Sequence, residues 1–249
     1  MAKILPPHNK PPTPPADSSL AVTDSLSALL GVSLLPIGTR GTVCSEDFQR
    51  WRPRYHLMAV RGWMNDPCGL GYNPASRLYH IAFKWNANGN DWGNISWGSA
   101  TSSDLVKWDV SLTPYLELGT QYDRCGVFSG CLVQPGVTGK DDGMLTYFYT
   151  SASDSPIHYT LPYVYGSESL STATSKDSGK TWQKHHNNPL LPGPPPGITV
   201  TGWRDPYVSS WPALSESLGI AADSVLFGCI SGGIKGKGPT AFLYSIDGN

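Results

Sequence analysis

The chain has 249 residues, a formal net charge of −1 at pH 7, and only 15% charged residues. This balance provides no basic surface for a nucleic-acid backbone, and no apolar run reaches the roughly 18 residues that a membrane span requires. The 27 glycines, 22 prolines, 9 tryptophans and 12 tyrosines, set against four glutamates, favour turns and strands over helices. The composition therefore predicts an aromatic-rich all-β protein and excludes helical bundles, nucleic-acid-binding proteins and membrane-spanning proteins.

Residues 1–50 are predicted to form a Pro-rich, largely disordered leader. Six of the prolines fall within residues 6–15, and the segment lacks the apolar residues that build a core. The first residues also lack the apolar stretch of about 7–15 residues that a secretory signal contains. We therefore expect a cytoplasmic location and a folded domain over residues 51–249.

The cysteines and histidines show no pattern typical of a metal site. The five cysteines include no CxxC pair, and the six histidines are not spaced with them as zinc ligands. We expect five reduced thiols, with a bridge between Cys125 and Cys131 as the alternative. No cluster of residues implies a cofactor.

Runs of strand length alternate with turn residues throughout the predicted domain. Gly, Pro, Asn or Asp bounds each run, as in antiparallel β proteins, and the runs cover residues 78–85, 94–101, 144–151, 225–231 and 241–245. No long segment of helical periodicity lies between them, which argues against a parallel sheet.

A short sequence motif recurs along the chain. Residues 100–108 (ATSSDLVKW) return as residues 173–182 (ATSKDSGKTW), and a third copy begins at Tyr244. In each copy a strand is predicted to end at Ser-x-Asp, the Asp to bond the amides of the turn, and the Trp to begin the return strand. A hairpin that recurs about every 70 residues predicts four-stranded propeller blades, with two chance hairpins as the alternative. The third copy stops within its turn, so we expect an incomplete ring.

Two Asp-Pro pairs, each next to a tryptophan, are the main candidates for chemistry. Asp66 lies in Trp-Met-Asn-Asp-Pro and Asp205 in Trp-Arg-Asp-Pro. Proline restricts the preceding residue to an extended conformation, so each Asp is predicted to sit in a rigid turn. Arg204 keeps the Asp205 carboxylate ionised and offers donors to a hydroxylated ligand. One such turn alone is typical of structure, but the pair predicts two carboxylates that face a sugar.

Aromatic and hydroxyl side chains accompany these carboxylates. Phe128-Ser129-Gly130, at a predicted strand start, offers a ring and a hydroxyl or forms a plain turn, and Ser129 lacks the surroundings of a hydrolase nucleophile. Trp85, Trp92 and Trp97 lie around a loop rich in Asn and Gly. Their rings suit the apolar faces of a sugar, although core packing explains them equally well.

Three motifs in this order carry a family resemblance, namely residues 63–67 (WMNDP), 128–130 (FSG) and 203–206 (WRDP). They resemble glycoside hydrolase family 32, the β-fructofuranosidases, which include invertases, inulinases and sucrose fructosyltransferases. Residues 92–108 are most similar to the fungal fructosyltransferase branch. The resemblance covers about residues 51–249 and implies a five-bladed β-propeller with a C-terminal β-sandwich, of which this chain holds about the first two and a half blades.

The same resemblance implies a retaining reaction on sucrose or a β-fructan, without a cofactor. Asp66 would act as the nucleophile and form a covalent fructosyl-enzyme, while Asp205 would stabilise the transition state with help from Arg204. The remaining residues of the implied substrate pocket are Asn65, Trp92, Phe128 and Ser129. In retaining enzymes the nucleophile and the acid/base carboxyl lie about 5–5.5 Å apart.

Three departures from the family pattern qualify this expectation. Lys84 stands where family members usually carry Gln, which is expected to alter a substrate contact, and Cys68 replaces a common Asn. The family's acid/base is a Glu followed by Cys, and no glutamate of this chain has a following Cys; the four are Glu46, Glu117, Glu168 and Glu216. A general acid contributes about 10²–10⁴-fold, so we expect the chain as written to be nearly inactive.

Two alternatives to a fructosidase remain at this stage. One is a non-catalytic remnant that kept the sugar pocket and lost the acid. The other is a five-bladed glycosidase for arabinan-type sugars, a class that lacks the Trp-Met-Asn-Asp-Pro string. Within the fructosidase reading, the fungal likeness favours fructosyl transfer over hydrolysis.

Overall fold

The structure, a computed structural model, describes residues 50, 53, 55–134, 137, 143–158, 160–221 and 225–247. The predicted leader up to residue 49, which includes Cys44 and Glu46, lies outside the described residues. The last two residues of the third repeat, 248 and 249, also lie outside them.

The described residues form three antiparallel sheets and one short helix. The first sheet has the order β1 (Trp63–Asn73), β2 (Leu78–Asn86), β3 (Ser96–Ser102) and β4 (Asp109–Val110). The second has the order β5 (Gly126–Val133), β6 (Leu145–Ala152), β7 (Glu168–Ser175) and β8 (Gln183–Lys184). The third consists of β9 (Val200–Ser210), β10 (Val225–Ile234) and β11 (Gly238–Asp247), with β10 in the middle. Helix α1 (Pro212–Ser217) connects β9 to β10, and no helix in the described ranges is long and apolar enough to cross a membrane.

All five strands predicted from the sequence are confirmed, as β2, β3, β6, β10 and β11. The prediction that Asp66 and Asp205 sit in turns is wrong, because these residues lie inside the long strands β1 and β9. Both strands are irregular at the Asp-Pro pair. The irregularity interrupts the alternation of apolar and polar residues by which a strand is recognised in a sequence. Helix α1 was not predicted, because six residues are too few to show helical periodicity.

The repeated motif forms the same turn in the first two sheets. Asp104 Oδ1 accepts the backbone N–H groups of Val106 and Lys107, each at 2.8 Å. Asp177 Oδ1 accepts those of Lys180 at 3.1 Å and Thr181 at 2.9 Å. The Thr181 hydroxyl and these backbone donors hold the pKa of Asp177 at about 2. The predicted role of the Asp side chain is therefore confirmed in both complete copies.

Two apolar cores separate the three sheets, and β6 contributes to both. Successive residues of a strand point to opposite faces, so Tyr147 and Tyr149 pack with Trp97 towards the first sheet. Phe148, between them in sequence, packs with Trp203 towards the third sheet. Every residue of β6 is buried. The second sheet is thus covered on both faces, which gives a propeller-like all-β fold.

The described cysteines are free thiols, so the alternative of a Cys125–Cys131 bridge is wrong. Cys44 lies outside the described residues. Cys68 is fully buried, and burial raises the pKa of its thiol to about 12. A thiol in this state is a packing group rather than a nucleophile.

Candidate active site

The first strands of the three sheets lie side by side, since β1 contacts β5 and β5 contacts β9. At its Asp-Pro or Phe-Ser-Gly motif, each of them carries one residue more than the strand with which it pairs, which is a β-bulge; β1 and β9 each have a second irregularity elsewhere. The bulged residues are Asp66 in β1, Phe128 and Ser129 in β5, and Asp205 and Pro206 in β9. A bulge redirects side chains out of the regular alternation. The three bulges thereby bring together residues that lie far apart in the sequence.

The β5 bulge depends on a glycine. A Cβ atom on Gly130 would lie 2.0 Å from the Phe148 backbone oxygen, so no other residue fits without a shift of the strand. This close approach seats β5 against β6 directly after the Phe128-Ser129 pair. The predicted start of a strand at this motif is confirmed.

Asp66 is held as a carboxylate by two donors from other strands. Lys84 Nζ lies 2.8 Å from Asp66 Oδ2, and the Ser129 hydroxyl donates to the same oxygen at 2.9 Å. The Asn65 side-chain amide donates to the other oxygen, Oδ1, at 3.1 Å. Partial burial pushes the pKa of Asp66 upward, but the Lys84 ammonium and the Ser129 hydroxyl outweigh it and hold this pKa below its ordinary value. The side chain remains about half exposed, so the ionised group is open to a ligand.

Asp205 adopts a backbone conformation that is unusual for a residue other than glycine. Its φ is +61°, which costs an Asp about 1 kcal/mol or more and persists only where neighbours fix it. Its backbone N–H donates to Thr150 Oγ1 at 2.8 Å, from the strand opposite the β5 bulge. Partial burial raises the pKa of Asp205, Arg204 and Lys84 oppose this rise, and the charge of Asp66 adds to it. Asp66 and Asp205 therefore belong to one electrostatic cluster.

Glu168 is buried beside this cluster, and its role was not predicted from the sequence. It is the first residue of β7, has no exposed surface, and forms an ion pair with Arg204. The Trp203 backbone N–H donates to Glu168 Oε2 at 2.8 Å. Burial raises the pKa of Glu168, and the Arg204 charge opposes this rise. The only signal in the sequence was a single Glu in an otherwise uncharged strand, and this signal did not identify Arg204 as its partner.

Phe128 and Trp92 form an aromatic wall beside the carboxylates. The Phe128 ring lies 5.1 Å from Lys84 Nζ on one side and 5.7 Å from the Trp92 ring, nearly edge-on, on the other. Trp92 is 49% exposed, whereas Trp85 and Trp97 are fully buried core residues. Of the three tryptophans around the Asn- and Gly-rich loop, Trp92 is therefore the one available to a ligand.

Asn65 offers a further polar contact. Its Oδ1 is buried and has no hydrogen-bond partner among the described residues. Buried polar atoms are normally paired, so this oxygen has unused capacity to accept a hydrogen bond. The seven residues predicted for the site are connected by these contacts: Asn65, Asp66 and Ser129 by hydrogen bonds, Arg204 and Asp205 by charge, and Trp92 and Phe128 by their rings.

The described glutamates lie outside the hydrogen-bond and ion-pair contacts of Asp66 and Asp205. Both oxygens of buried Glu168 are already bonded. Glu117 and Glu216 are exposed, and neither forms a hydrogen bond or ion pair with Asp66 or Asp205. Across the described ranges, no group of three or more His, Cys, Asp or Glu side chains is arranged to hold a metal ion.

Comparison with known proteins identifies a family for this chain. Residues 56–216 match the model of the glycosyl hydrolases family 32 N-terminal domain. An invertase from Schwanniomyces occidentalis is 35% identical over 161 residues, which cover 63% of this chain and 28% of the invertase. An Aspergillus kawachii β-fructofuranosidase, solved with glycerol, has a TM-score of 0.70 and 36% identity, and the match covers 80% of this chain and 31% of that one. A fructosyltransferase from A. japonicus has a TM-score of 0.68 and 29% identity, with 80% of this chain and 33% of that one covered.

This chain spans about a third of the length of each of these relatives. The family match nevertheless covers well over half of the chain, and it includes the strands β1, β5 and β9 that carry the three bulges. The chain therefore belongs to glycoside hydrolase family 32.

Proposed function

We propose that the three bulges form the fructosyl-binding part of a retaining fructosidase or fructosyltransferase that acts on sucrose or a β-fructan. The observation that carries this proposal is the ionised, half-exposed Asp66 carboxylate, held by Lys84 and Ser129 in the same cluster as Asp205. The similarity to an invertase, a β-fructofuranosidase and a fructosyltransferase supports the substrate class. In this proposal the three sheets are the first blades, about two and a half in number, of a five-bladed propeller.

Asp66 acts as the nucleophile in this scheme. One of its oxygens forms a bond to the anomeric carbon of the fructosyl unit, while the bond from that carbon to the leaving oxygen breaks and the leaving group takes the electron pair. Asp205 accepts hydrogen bonds from fructose hydroxyls, which become better donors as positive charge develops on the ring. The resulting ester passes its fructosyl group to water or to another sugar.

The leaving oxygen of sucrose also requires a proton, and general acid catalysis contributes about 10²–10⁴-fold. Both oxygens of Glu168 are already bonded, and Glu117 and Glu216 have no hydrogen bond or ion pair with Asp66 or Asp205, so we propose that the described glutamates do not donate it. We propose that Asp66 and Asp205 supply the nucleophile and the stabilising group, and that a polypeptide limited to these 249 residues cleaves sucrose very slowly. The same observation favours the second candidate function, a non-catalytic module that binds fructose or sucrose.

A substrate with an activated leaving group separates the two candidates. β-Fructosyl fluoride releases fluoride without protonation, so it requires a nucleophile and no general acid. We expect intact-mass spectrometry of the treated chain to show the addition of one fructosyl unit, and peptide mapping to place it on Asp66. We expect the ester to break down slowly, because no described glutamate forms a hydrogen bond or ion pair with Asp66. An Asp109→Asn variant, changed at an exposed carboxylate of β4, should be labelled like the parent.

An absence of label, together with sucrose binding measured by calorimetry, would instead support the binding module. A label on a residue other than Asp66 would contradict the assignment of the nucleophile. Once the ester is trapped, its transfer to water or to added sucrose distinguishes a hydrolase from a transferase.

Trp92→Ala is expected to weaken sugar binding without unfolding the domain. The exposed ring loses its stacking surface for the sugar, and such contacts contribute about 1 kcal/mol, or roughly five-fold in Kd. Calorimetry with sucrose measures the change. Trp211→Ala is a matched control, because Trp211 is 50% exposed and lies at the start of helix α1. Equal affinities of the Trp92 variant and the parent would remove Trp92 from the site.

A further inference from the structure

We propose that Lys84 is the positioning residue of the nucleophile: it fixes one oxygen of the Asp66 carboxylate and keeps this carboxylate ionised in acid solution. The inference rests on the proposed function, because it takes Asp66 to be the nucleophile. It deepens that function by assigning a role to a residue at which the chain departs from the pattern it resembles.

The register of the first sheet places Lys84 at the nucleophile. Lys84 of β2 pairs directly with Asn65 of β1, and the next residue of β1, Asp66, is the bulged one without a partner in β2. The Lys84 side chain is only 9% exposed, and its Nζ lies 2.8 Å from Asp66 Oδ2. The sequence predicted that Lys84 alters a substrate contact. In the structure, the Lys84 ammonium contacts the Asp66 carboxylate itself.

The surroundings of Lys84 make this contact strong. A nearly buried ammonium loses much of its hydration and requires a compensating charge, which Asp66 provides. The Phe128 ring, 5.1 Å from Nζ, adds a cation–π contact. A lysine held from two sides has few alternative positions, so it restrains the carboxylate that it contacts.

The two oxygens of Asp66 have different surroundings. Among the described side chains, the Lys84 ammonium and the Ser129 hydroxyl contact Oδ2, whereas the amide of the adjacent Asn65 donates to Oδ1. Oδ1 is therefore the oxygen that bonds to the anomeric carbon, and Oδ2 becomes the carbonyl oxygen of the ester. When the ester breaks, the electron pair of the Oδ1–carbon bond returns to the carboxylate, where the Lys84 charge stabilises it.

The other titratable groups around Asp66 lie in β9, β7 and β1 itself, whereas β5, which packs against β1, carries no charged side chain. Asp205 and Arg204 face it from β9, Glu168 lies behind Arg204 in β7, and the Cys68 thiol of β1 is neutral because burial raises its pKa. Lys84 is the cation in direct contact. Because its charge lowers the pKa of Asp66, the carboxylate should stay ionised as the pH falls until that lowered pKa is reached. Removal of the charge should move this transition to higher pH.

The test follows the Asp66 carboxyl carbon by NMR in the full chain labelled with [13Cγ]aspartate, with the Asp66 signal identified by its loss in Asp66→Asn. We expect Lys84→Gln to raise the titration midpoint of Asp66 by about one pH unit. A nearby opposite charge lowers the pKa of a carboxyl by about 1–3 units, and half-exposed Asp66 should lie at the low end of this range. Lys84→Arg should restore the midpoint of the parent. Lys107→Gln, a matched change at an exposed lysine in the turn before β4, should leave it unchanged.

An unchanged midpoint in Lys84→Gln would overturn the inference. If that variant does not fold, the parent still decides the question: an Asp66 midpoint at or above that of Asp in a short peptide, about 3.9, also overturns it. The rate of fructosyl-enzyme formation provides the second readout. In Lys84→Gln its acidic limb should shift by the same amount, whereas a purely structural role would lower the rate equally at every pH.

The two proposals fail in different ways. The NMR titration requires no sugar, so it tests Lys84 even if no fructosyl-enzyme forms. A parent chain that shows the expected titration and takes up no label would contradict the proposed function and leave the charge-setting role of Lys84 intact.

Discussion

Asp66→Asn is expected to abolish labelling by β-fructosyl fluoride, with a loss of roughly 10³-fold or more in the rate of adduct formation. The amide keeps the shape of the side chain, and its oxygen still accepts a hydrogen bond from Lys84. An amide is a far weaker nucleophile than a carboxylate, and the exchange also replaces the ion pair with Lys84 by a neutral hydrogen bond. Intact-mass spectrometry over time measures the effect.

Asp66→Ala should give the same chemical result and, in addition, leave the Lys84 ammonium without its partner at 2.8 Å. Thermal unfolding of both variants therefore separates the loss of a nucleophile from the loss of the fold. A label acquired by Asp66→Asn at the rate of the parent would show that another group attacks the sugar.

Glu168→Ala is expected to lower the free energy of unfolding by about 3 kcal/mol, which is the cost of breaking a buried ion pair on one side. The Arg204 guanidinium would remain as an unpaired charge, and the Trp203 N–H would lose its acceptor. Arg204 keeps some contact with solvent, and for this reason we expect the lower end of the usual range. Urea unfolding of variant and parent measures the difference.

Glu168→Gln sharpens this prediction. Glutamine has one acceptor oxygen, whereas Arg204 and Trp203 each donate to a different oxygen of Glu168, so one of these donors would face the amide nitrogen. We expect a loss of about 1–3 kcal/mol. Glu216→Gln on exposed helix α1 is the matched control and should unfold like the parent. A Glu168→Ala variant as stable as the parent would mean that the pair does not hold β9 in place.

The strands of the core were predictable because their pattern is local. Each of the five predicted runs carries its apolar and β-branched residues together and ends at Gly, Pro, Asn or Asp, and each is a strand in the structure. The turn built on Asp104 and Asp177 was equally accessible, since its hydrogen bonds reach only two to four residues along the chain.

The candidate site was predictable in its residues but not in its geometry. Asp66 and Asp205 stood out beside Pro and Trp, yet they lie in bulged strands rather than turns, because a bulge is defined by the register of a partner strand. The contacts of Lys84 and Glu168 depend in the same way on residues in other strands or another sheet. The pattern also did not tell exposed Trp92 from buried Trp85 and Trp97, since burial is decided by the packing of the whole sheet.

The recurrence of a bulge at the candidate site in the first strand of each sheet has a consequence for how this site tolerates change. A bulge is a single extra residue, so its deletion would restore regular pairing and remove the side chain that the bulge redirects towards the site, such as Asp66 in β1. Substitution at the same position leaves the backbone path intact. Insertions and deletions at these three bulges should therefore destroy the site. Exchanges of one side chain for another at the same positions should change its chemistry while the backbone stays the same.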